Sequence, residues 1–439
     1  MLMTEQVLLD TTEGQASWFW EMSRVATILY DIAMEQRRGW WLGYHGTRPG
    51  IGYNYQNAQL VELKEAFPEF NCLYSLVAQE VLRALQKNYQ SFFANLKQQK
   101  ANGEEVTARA PWFKSTRYFF TLSYVQSGFS LDRNGNLVLS GGMETYCDAK
   151  GRIRRRRRQE IIQIAGCRKL PESVYSLTIT HRDGRFYANL TYEVEPLTVG
   201  TERPLRFVAF DPGVKTFLTG ADDSGRLIEF QSLIKRTTKY FDRGIDLVKS
   251  MCDRCKNGSR RWRRRKQVLH DLCQRRNAQV GDELHATAKL LADGGWHIVG
   301  VGNAHKQGMV SNDPGKGHGN QNINRAVQNN RPLKRFNKKL DYKLEYRGKM
   351  FVPVDERYST QECNHCGHRI KLDPSVRVYR CPKCDMTFGR DDNSAINLLN
   401  RVTAGIFRQK MDYRAYRVRT VFHRTMGGRW MHRESVLTL

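Results

Sequence analysis

Val354-Asp355-Glu356-Arg357-Tyr358 opens a forty-residue stretch that passes through Cys363-x2-Cys366 and Cys381-x2-Cys384 and ends at Gly389-Arg390-Asp391-Asp392-Asn393. A C-x2-C pair lets two thiolates from one tight turn meet a single ion, and a second pair closes a tetrahedral site. The fourteen-residue spacer is one short of the usual range, and Gly367 and Pro382 favour the two turns. Cys363, Cys366, Cys381 and Cys384 are therefore expected to hold one structural Zn2+, with four free core cysteines as the alternative. A zinc ribbon alone denotes a small stapled module. Carboxylates on both of its flanks point to a hydrolase that holds divalent metals with segments the zinc pins together.

A third acid lies far upstream, in Phe207-Val208-Ala209-Phe210-Asp211-Pro212-Gly213. The apolar run Phe207–Phe210 suits a strand buried on both faces, with Asp211 at its C-terminal end. Mg2+ needs hard oxygen ligands, and nucleases of the RNase H type hold two such ions about 3.5–4 Å apart. Asp391 precedes Ser394–Leu399, whose apolar spacing predicts a helix on the sheet. Taken singly, each Asp reads as a turn or N-cap residue. Only the joint arrangement suggests a cage.

Lys and Arg number 71 against 44 Asp and Glu, a formal charge of +27. A surplus that large calls for a polyanion, so nucleic acid is the expected partner. A merely soluble basic protein is the bland alternative. Two blocks concentrate the charge: Arg154, Arg155, Arg156, Arg157 and Arg158, then Arg260, Arg261, Arg263, Arg264, Arg265 and Lys266 around Trp262. Adjacent unpaired arginines repel, and a planar fork suits phosphate, so both blocks read as phosphate contacts rather than solvated faces. Nothing at the N-terminus reads as a secretory segment, and no stretch is apolar enough to span a bilayer. A reducing, cytoplasmic setting without membrane contact is expected, or a nuclear one in a eukaryotic host. Cys252-x2-Cys255 and His270-x2-Cys273 mimic a further knuckle, but with Val248, Val268, Leu269 and Leu272 they fit two facing helices.

The remaining pattern predicts a multidomain α+β chain. A strand-like run, Val7–Asp10, precedes helical periodicity from about 17 to 100, interrupted near Gly43–Tyr53. Turn signals at Asp132–Asn136 and His181–Arg185 predict hairpins of a small β-barrel or sandwich. Strands at Thr216–Thr219 and Leu227–Phe230, a helical hairpin over 240–293, a strand at His297–Val301, a helix at Leu333–Arg347 and a strand at Met350–Val354 imply an α/β sheet. The Gly- and Asn-rich loop Ser311–Asn322 reads as mobile, a gate for the site.

These motifs resemble the TnpB family of transposon-encoded RNA-guided endonucleases and the compact type V CRISPR effectors descended from it. The resemblance is carried by Phe210-Asp211-Pro212-Gly213, by Leu340–Gly348, by Val354–Gly367 and by Arg390-Asp391-Asp392-Asn393-Ser394-Ala395-Ile396-Asn397, with Pro111-Trp112-Phe113-Lys114 similar to the start of the β-domain. It implies an N-terminal helical lobe plus small β-barrel and a C-terminal RNase H-like (RuvC) α/β domain with an inserted zinc ribbon. Its boundaries would be a first barrel part at 1–16, a helical recognition domain at 17–110 and the wedge barrel at 111–200. RuvC would cover 201–354, the target-nucleic-acid-binding ribbon 355–388, a closing helix 389–405 and a basic tail 406–439. The implied partners are a guide RNA and target double-stranded DNA, bound by a monomer or homodimer.

One departure is informative. His297-Ile298-Val299-Gly300-Val301-Gly302-Asn303 ends in glycine and asparagine where many relatives place a metal-binding glutamate. Either the protein is a nuclease-dead binder, or it resembles the branch whose glutamate lies just before the ribbon, here Glu356. The second reading gives Asp211, Glu356 and Asp391 as ligands of two Mg2+, with Asp392 a weaker neighbour and Asn393 holding the helix start. An unguided DNA-binding transposition factor is a further alternative.

Overall fold

Trp18, Phe19, Met22, Val25, Ala26, Leu29, Tyr30 and Ala33 recur at helical spacing, and all are buried along one stripe of α1 (Glu13–Tyr44). In the computed structural model that stripe belongs to the first of two units, Met1–Val194 and Glu195–Leu439. The structure describes the chain except residues 45–46, 48, 104, 149, 167–170, 172, 198–203, 214–215, 232–233, 304–332, 373–375, 405–409, 426 and 438–439. The loop Ser311–Asn322 lies outside the described residues.

In the first unit, α2 (Tyr53–Ala58), α3 (Leu60–Ala66) and α4 (Ser75–Ala101) follow α1. Helix α4 buries Val77, Ala78, Val81, Leu82 and Leu85 in the same core as Leu122, Leu137, Leu177 and Leu190 of the strands. The strands are β1 (Leu2–Asp10), β2 (Leu122–Val125), β3 (Phe129–Leu131), β4 (Leu137–Cys147), β5 (Ile153–Ile164), β6 (Ser176–Arg182) and β7 (Arg185–Glu193). They form one antiparallel sheet in the order β2-β6-β7-β1-β5-β4-β3. The N-terminal strand is longer than its apolar run suggested and sits at the centre of the sheet. Asp183 and Gly184, both at positive φ, make the β6–β7 turn that Asp-Gly favours. The β4–β5 pairing slips between Ser140 and Met143, where a Cβ on Gly142 would collide with the Asn71 carbonyl.

The second unit is built on β8 (Phe207–Pro212), β9 (Leu218–Asp222), β10 (Arg226–Gln231), β11 (Ile298–Gly302), β12 (Met350–Val354), β15 (Val418–Arg424) and β16 (Trp430–Val436). Their order is β12-β11-β8-β9-β10-β15-β16. Strands β11 and β12 run parallel to β8, and β15 runs parallel to β10. Helices α5 (Ile234–Asp253), α6 (Arg260–Asp293), α7 (Leu333–Tyr346) and α8 (Arg390–Val402) complete the unit, with β13 (Val378–Arg380) and β14 (Thr387–Gly389) pairing apart. Side chains alternate across β8. Val208 and Phe210 share a core with Leu284 and Leu291 of α6 and Phe336 and Leu340 of α7. Phe207 and Ala209 share one with Ala395, Ile396 and Leu399 of α8. Period two then puts Asp211 on the α8 face.

The C-terminal segment, read from sequence as a basic tail, supplies β15 and β16 and extends this sheet. Strand β9 begins at Leu218, two residues later than the strand expected at Thr216.

Candidate active site

The four ribbon sulfurs all lie within 4.8 Å of one another, with Cys363–Cys384 at 3.7 Å and Cys366–Cys381 at 3.5 Å. Tetrahedral Zn–S bonds of about 2.3 Å require sulfurs about 3.8 Å apart, so this donor set can hold a metal such as zinc. Each knuckle closes with an N–H to the carbonyl of its first cysteine, Gly367 to Cys363 and Asp385 to Cys381, both 2.9 Å. Those two donors have positive φ, which explains the glycine. Burial pushes the Cys363 thiol up to about 12. At Cys381 burial acts the same way but is outweighed by the N–H groups of Cys384 and Lys383, leaving it at about 7. Tyr379 stacks on Phe388 at 5.2 Å and donates its hydroxyl to Gln361 and His368 carbonyls, both 3.1 Å away.

Asp211, at the end of β8, is buried against α8. Burial pushes its carboxyl up to about 7; the Asp391 charge adds to this, while a Ser394 hydrogen bond and Arg390 pull it back. Glu356 is pushed up to about 8, by burial first and then by Asp211 and Asp355. Its position has a simple cause. Strand β12 ends at Val354, paired with Gly302 of β11, and Ser359 N–H then bonds the Glu356 carbonyl at 3.0 Å, with Tyr358 at φ 61°. This turn lays the Glu356 side chain over Gly302, where any Cβ would collide with its carboxylate. The glycine at the end of β11 is thus what makes room for Glu356. Among the described residues, Glu356 Oε1 is buried without a hydrogen-bond partner.

Asp391 is partly exposed at the start of α8, with Arg390 Nη2 at 3.2 Å and Arg377 Nη1 at 3.8 Å. It lines a polar cleft of about 510 Å3 together with Thr216, Thr219, Gln231, Arg377 and Arg390. Among the described residues, the three carboxylates do not gather as tightly as the sulfurs. They are coupled pairwise through Asp211.

Two expectations change. Asn393 does not hold the helix start: Gly389 is the N-cap, and the buried Asn393 amide donates instead to the Glu362 carbonyl at 2.8 Å. Asp392 is committed elsewhere. Burial raises its carboxyl, Arg419 of β15 binds it at 2.7 Å, and Arg419 also pairs with Glu229. Sequence reading missed Arg419, because nothing near it marks it out from neighbouring basic residues.

The basic blocks are more structured than unpaired runs. Arg154 to Arg158 lie on β5, where Arg154, Arg156 and Arg158 pair with Asp148, Glu144 and Glu160 at 3.0, 2.6 and 2.7 Å. Arg157 and Arg158 also cover the rings of Tyr74 and Trp18, each 5.2 Å from the ring centroid. Repulsion is relieved by strand alternation and by these partners. Arg260 opens α6 behind the Ser259 cap, and Arg261, Arg263, Arg264 and Lys266 are exposed, with Lys266 over Trp262. Arg265 turns inward to Cys255 Sγ at 2.9 Å and the Met251 carbonyl, tying the α5–α6 hairpin. Cys252 is buried in that hairpin. Among the described residues, the only metal-type cluster is the four ribbon cysteines.

Residues 334–398 match the family model of the Cas12f1-like TNB domain. A Mycobacterium tuberculosis protein bearing the name of an RNA-guided DNA endonuclease is 29% identical over 227 residues, 51% of this chain and 48% of that protein. InsQ of Escherichia coli, named likewise, is 23% identical over 329 residues, 73% of each. The match thus spans about half the length of the mycobacterial relative. Among solved structures, Cas12f1 bound to its guide RNA and target DNA superposes with a TM-score of 0.61 at 14% identity, covering 89% of this chain and 83% of that one. That likeness is one of fold: multidomain, α/β, of the Cas12 type. No helix among the described residues is long and apolar enough to cross a membrane.

Proposed function

We propose that this protein is an RNA-guided endonuclease of the TnpB and compact type V kind, cutting target double-stranded DNA at Asp211, Glu356 and Asp391. The observation that carries the reading is the placement of Glu356 over Gly302, beside Asp211. In this reading the carboxylate absent from β11 would be replaced by one from the segment before the ribbon, whose side chain lies over Gly302. Burying Glu356 Oε1 without a partner and pressing it against Asp211 is costly unless a cation shares the site. The donor set is all hard oxygen, which fits Mg2+. A bound Mg2+ pair would supply an activated water and stabilise the leaving oxygen.

The chain's own part is to position and neutralise. Asp211 and Glu356 are held by the sheet and Asp391 by α8, while Arg377 and Arg390 line the adjoining cleft, where their charge would favour a phosphodiester. In this reading the second unit is an RNase H-like (RuvC) domain carrying a Zn2+ ribbon, and the first is the helical recognition lobe with a wedge barrel. Base pairing with the guide RNA would read most of the target, and protein contacts the backbone and a short flanking motif. Arg154–Arg158 and the exposed basic residues of α6 would grip phosphate. The second reading is an RNA-guided binder that does not cut, in which the carboxylate absent from β11 has no replacement.

The protein purified from its host, with co-eluting RNA sequenced and the guided target DNA incubated with Mg2+, tests the proposal. A discrete stoichiometric RNA and guided cleavage are expected. RNA without cleavage would leave the binder, and no RNA an unguided DNA-binding factor.

A further inference from the structure

Asn393, Asn397 and Arg401 stand at i, i+4 and i+8 on α8, and all three reach one incoming segment, residues 355–364. Arg401 donates to the carbonyls of Asp355 and, at 2.8 Å, of Arg357. Asn397 Nδ2 donates to the carbonyls of Ser359 at 2.8 Å and Glu362 at 2.7 Å. Asn393 donates to Glu362, and its Oδ1 accepts both the backbone N–H and the Nδ2 of Asn364, at 3.0 and 2.8 Å. Asn364 Oδ1 in turn accepts the Tyr413 N–H at 2.9 Å. All three asparagines are buried.

This seam joins two of the proposed ligands. Glu356 lies in the segment, and Asp391 lies on the helix two residues before Asn393. It also touches the cysteine cluster, because Asn364 is inside the first C-x2-C. The N–H groups of His365 and Cys366 are taken by the Cys363 sulfur, which leaves that of Asn364 aimed at Asn393. An apolar stripe would hold the segment as firmly, but hydrogen bonds are directional and fix one register. Burying three amides makes sense if register is what matters.

We propose that Asn393, Asn397 and Arg401, with Asn364, form a positioning seam that sets Glu356 against Asp391 and couples metal occupancy of the knuckle to the geometry of the carboxylates. The inference rests on the nuclease reading above.

Asn364→Ala and Asn397→Ala each remove two side-chain hydrogen bonds without touching a carboxylate or a cysteine. In the full chain with guide RNA, each is expected to raise the Mg2+ concentration for half-maximal cleavage about fivefold or more, with target-DNA affinity unchanged. Independently of cleavage, hydrogen exchange of the α8 amides should quicken in both variants, and in the parent chain when zinc is stripped. An unchanged Mg2+ midpoint, or α8 exchange indifferent to both variants and to zinc, overturns the seam. If the parent chain does not cut, the nuclease reading falls and the exchange result alone decides the seam. Should Asn364→Ala fail to fold, Asn397→Ala alone carries both readouts, since it removes the bonds to Ser359 and Glu362 and leaves the knuckle untouched.

Discussion

In the ribbon, four sulfurs pack within 4.8 Å of one another; at the end of β8, just past β12 and at the start of α8, Asp211, Glu356 and Asp391 do not gather so tightly, and burial, then neighbouring carboxylates, pushes the first two up to about 7 and about 8. Neutral thiols can share a small space at little cost, so two tight turns and twenty-two residues suffice to gather them. Carboxylates cannot, and need a scaffold that holds them against repulsion. The sheet supplies it from one side, through β8 and the glycine of β11, and α8 supplies it from the other. A local motif gathers the cysteines, and tertiary structure brings the carboxylates near one another.

That contrast can be broken at either end. Cys381→Ala should have the largest effect: loss of bound zinc and of roughly 5 kcal/mol or more of metal-linked folding free energy, read by metal analysis and by proteolysis appearing within 363–388. Arg419→Ala should cost about 3 kcal/mol in urea unfolding, because it leaves the buried Asp392 and the half-buried Glu229 without the cation they share. Lysine should recover only part, since one ammonium cannot fork to both acids.

A smaller effect comes with pH. Asp211 and Glu356 keep their protons in the folded chain where the unfolded chain has lost them. Without added divalent ion, stability should therefore fall as pH rises from about 4 to about 8. Asp211→Asn should flatten that slope and stabilise the protein at pH 8 by about 2 kcal/mol, whereas added Mg2+ should stabilise only the parent. Stability that rises through this range would contradict the assignment. The smallest change is expected at Arg156→Ala: its pair with Glu144 is exposed, so stability should move by less than about 0.5 kcal/mol. RNA affinity should nonetheless weaken, and its salt slope drop by about 1.

The same contrast explains what could be read from the sequence. The cysteine spacing, the apolar run of β8 and the strand Met350–Val354 are local, and the structure has them where the pattern put them. The β15–β16 pair was hidden because few of its residues are buried, so no alternation marks it. The five arginines of β5 looked like an unpaired block because their partners, Glu144, Asp148, Tyr74 and Trp18, come from elsewhere. Arg265 and Arg419 are indistinguishable in sequence from their exposed neighbours. Asn393 and Asn397 did carry a signal, polar residues four apart on an apolar helix, but their partners lie in a different segment.

The central claim is that Glu356 does the work of the carboxylate missing from β11, and the direct measurement is guided, Mg2+-dependent cleavage by the parent, Asp211→Ala and Glu356→Ala. Both variants should lose cutting by about a thousandfold or more while still binding guide RNA. Cleavage that survives Glu356→Ala but not Asp211→Ala would contradict the assignment.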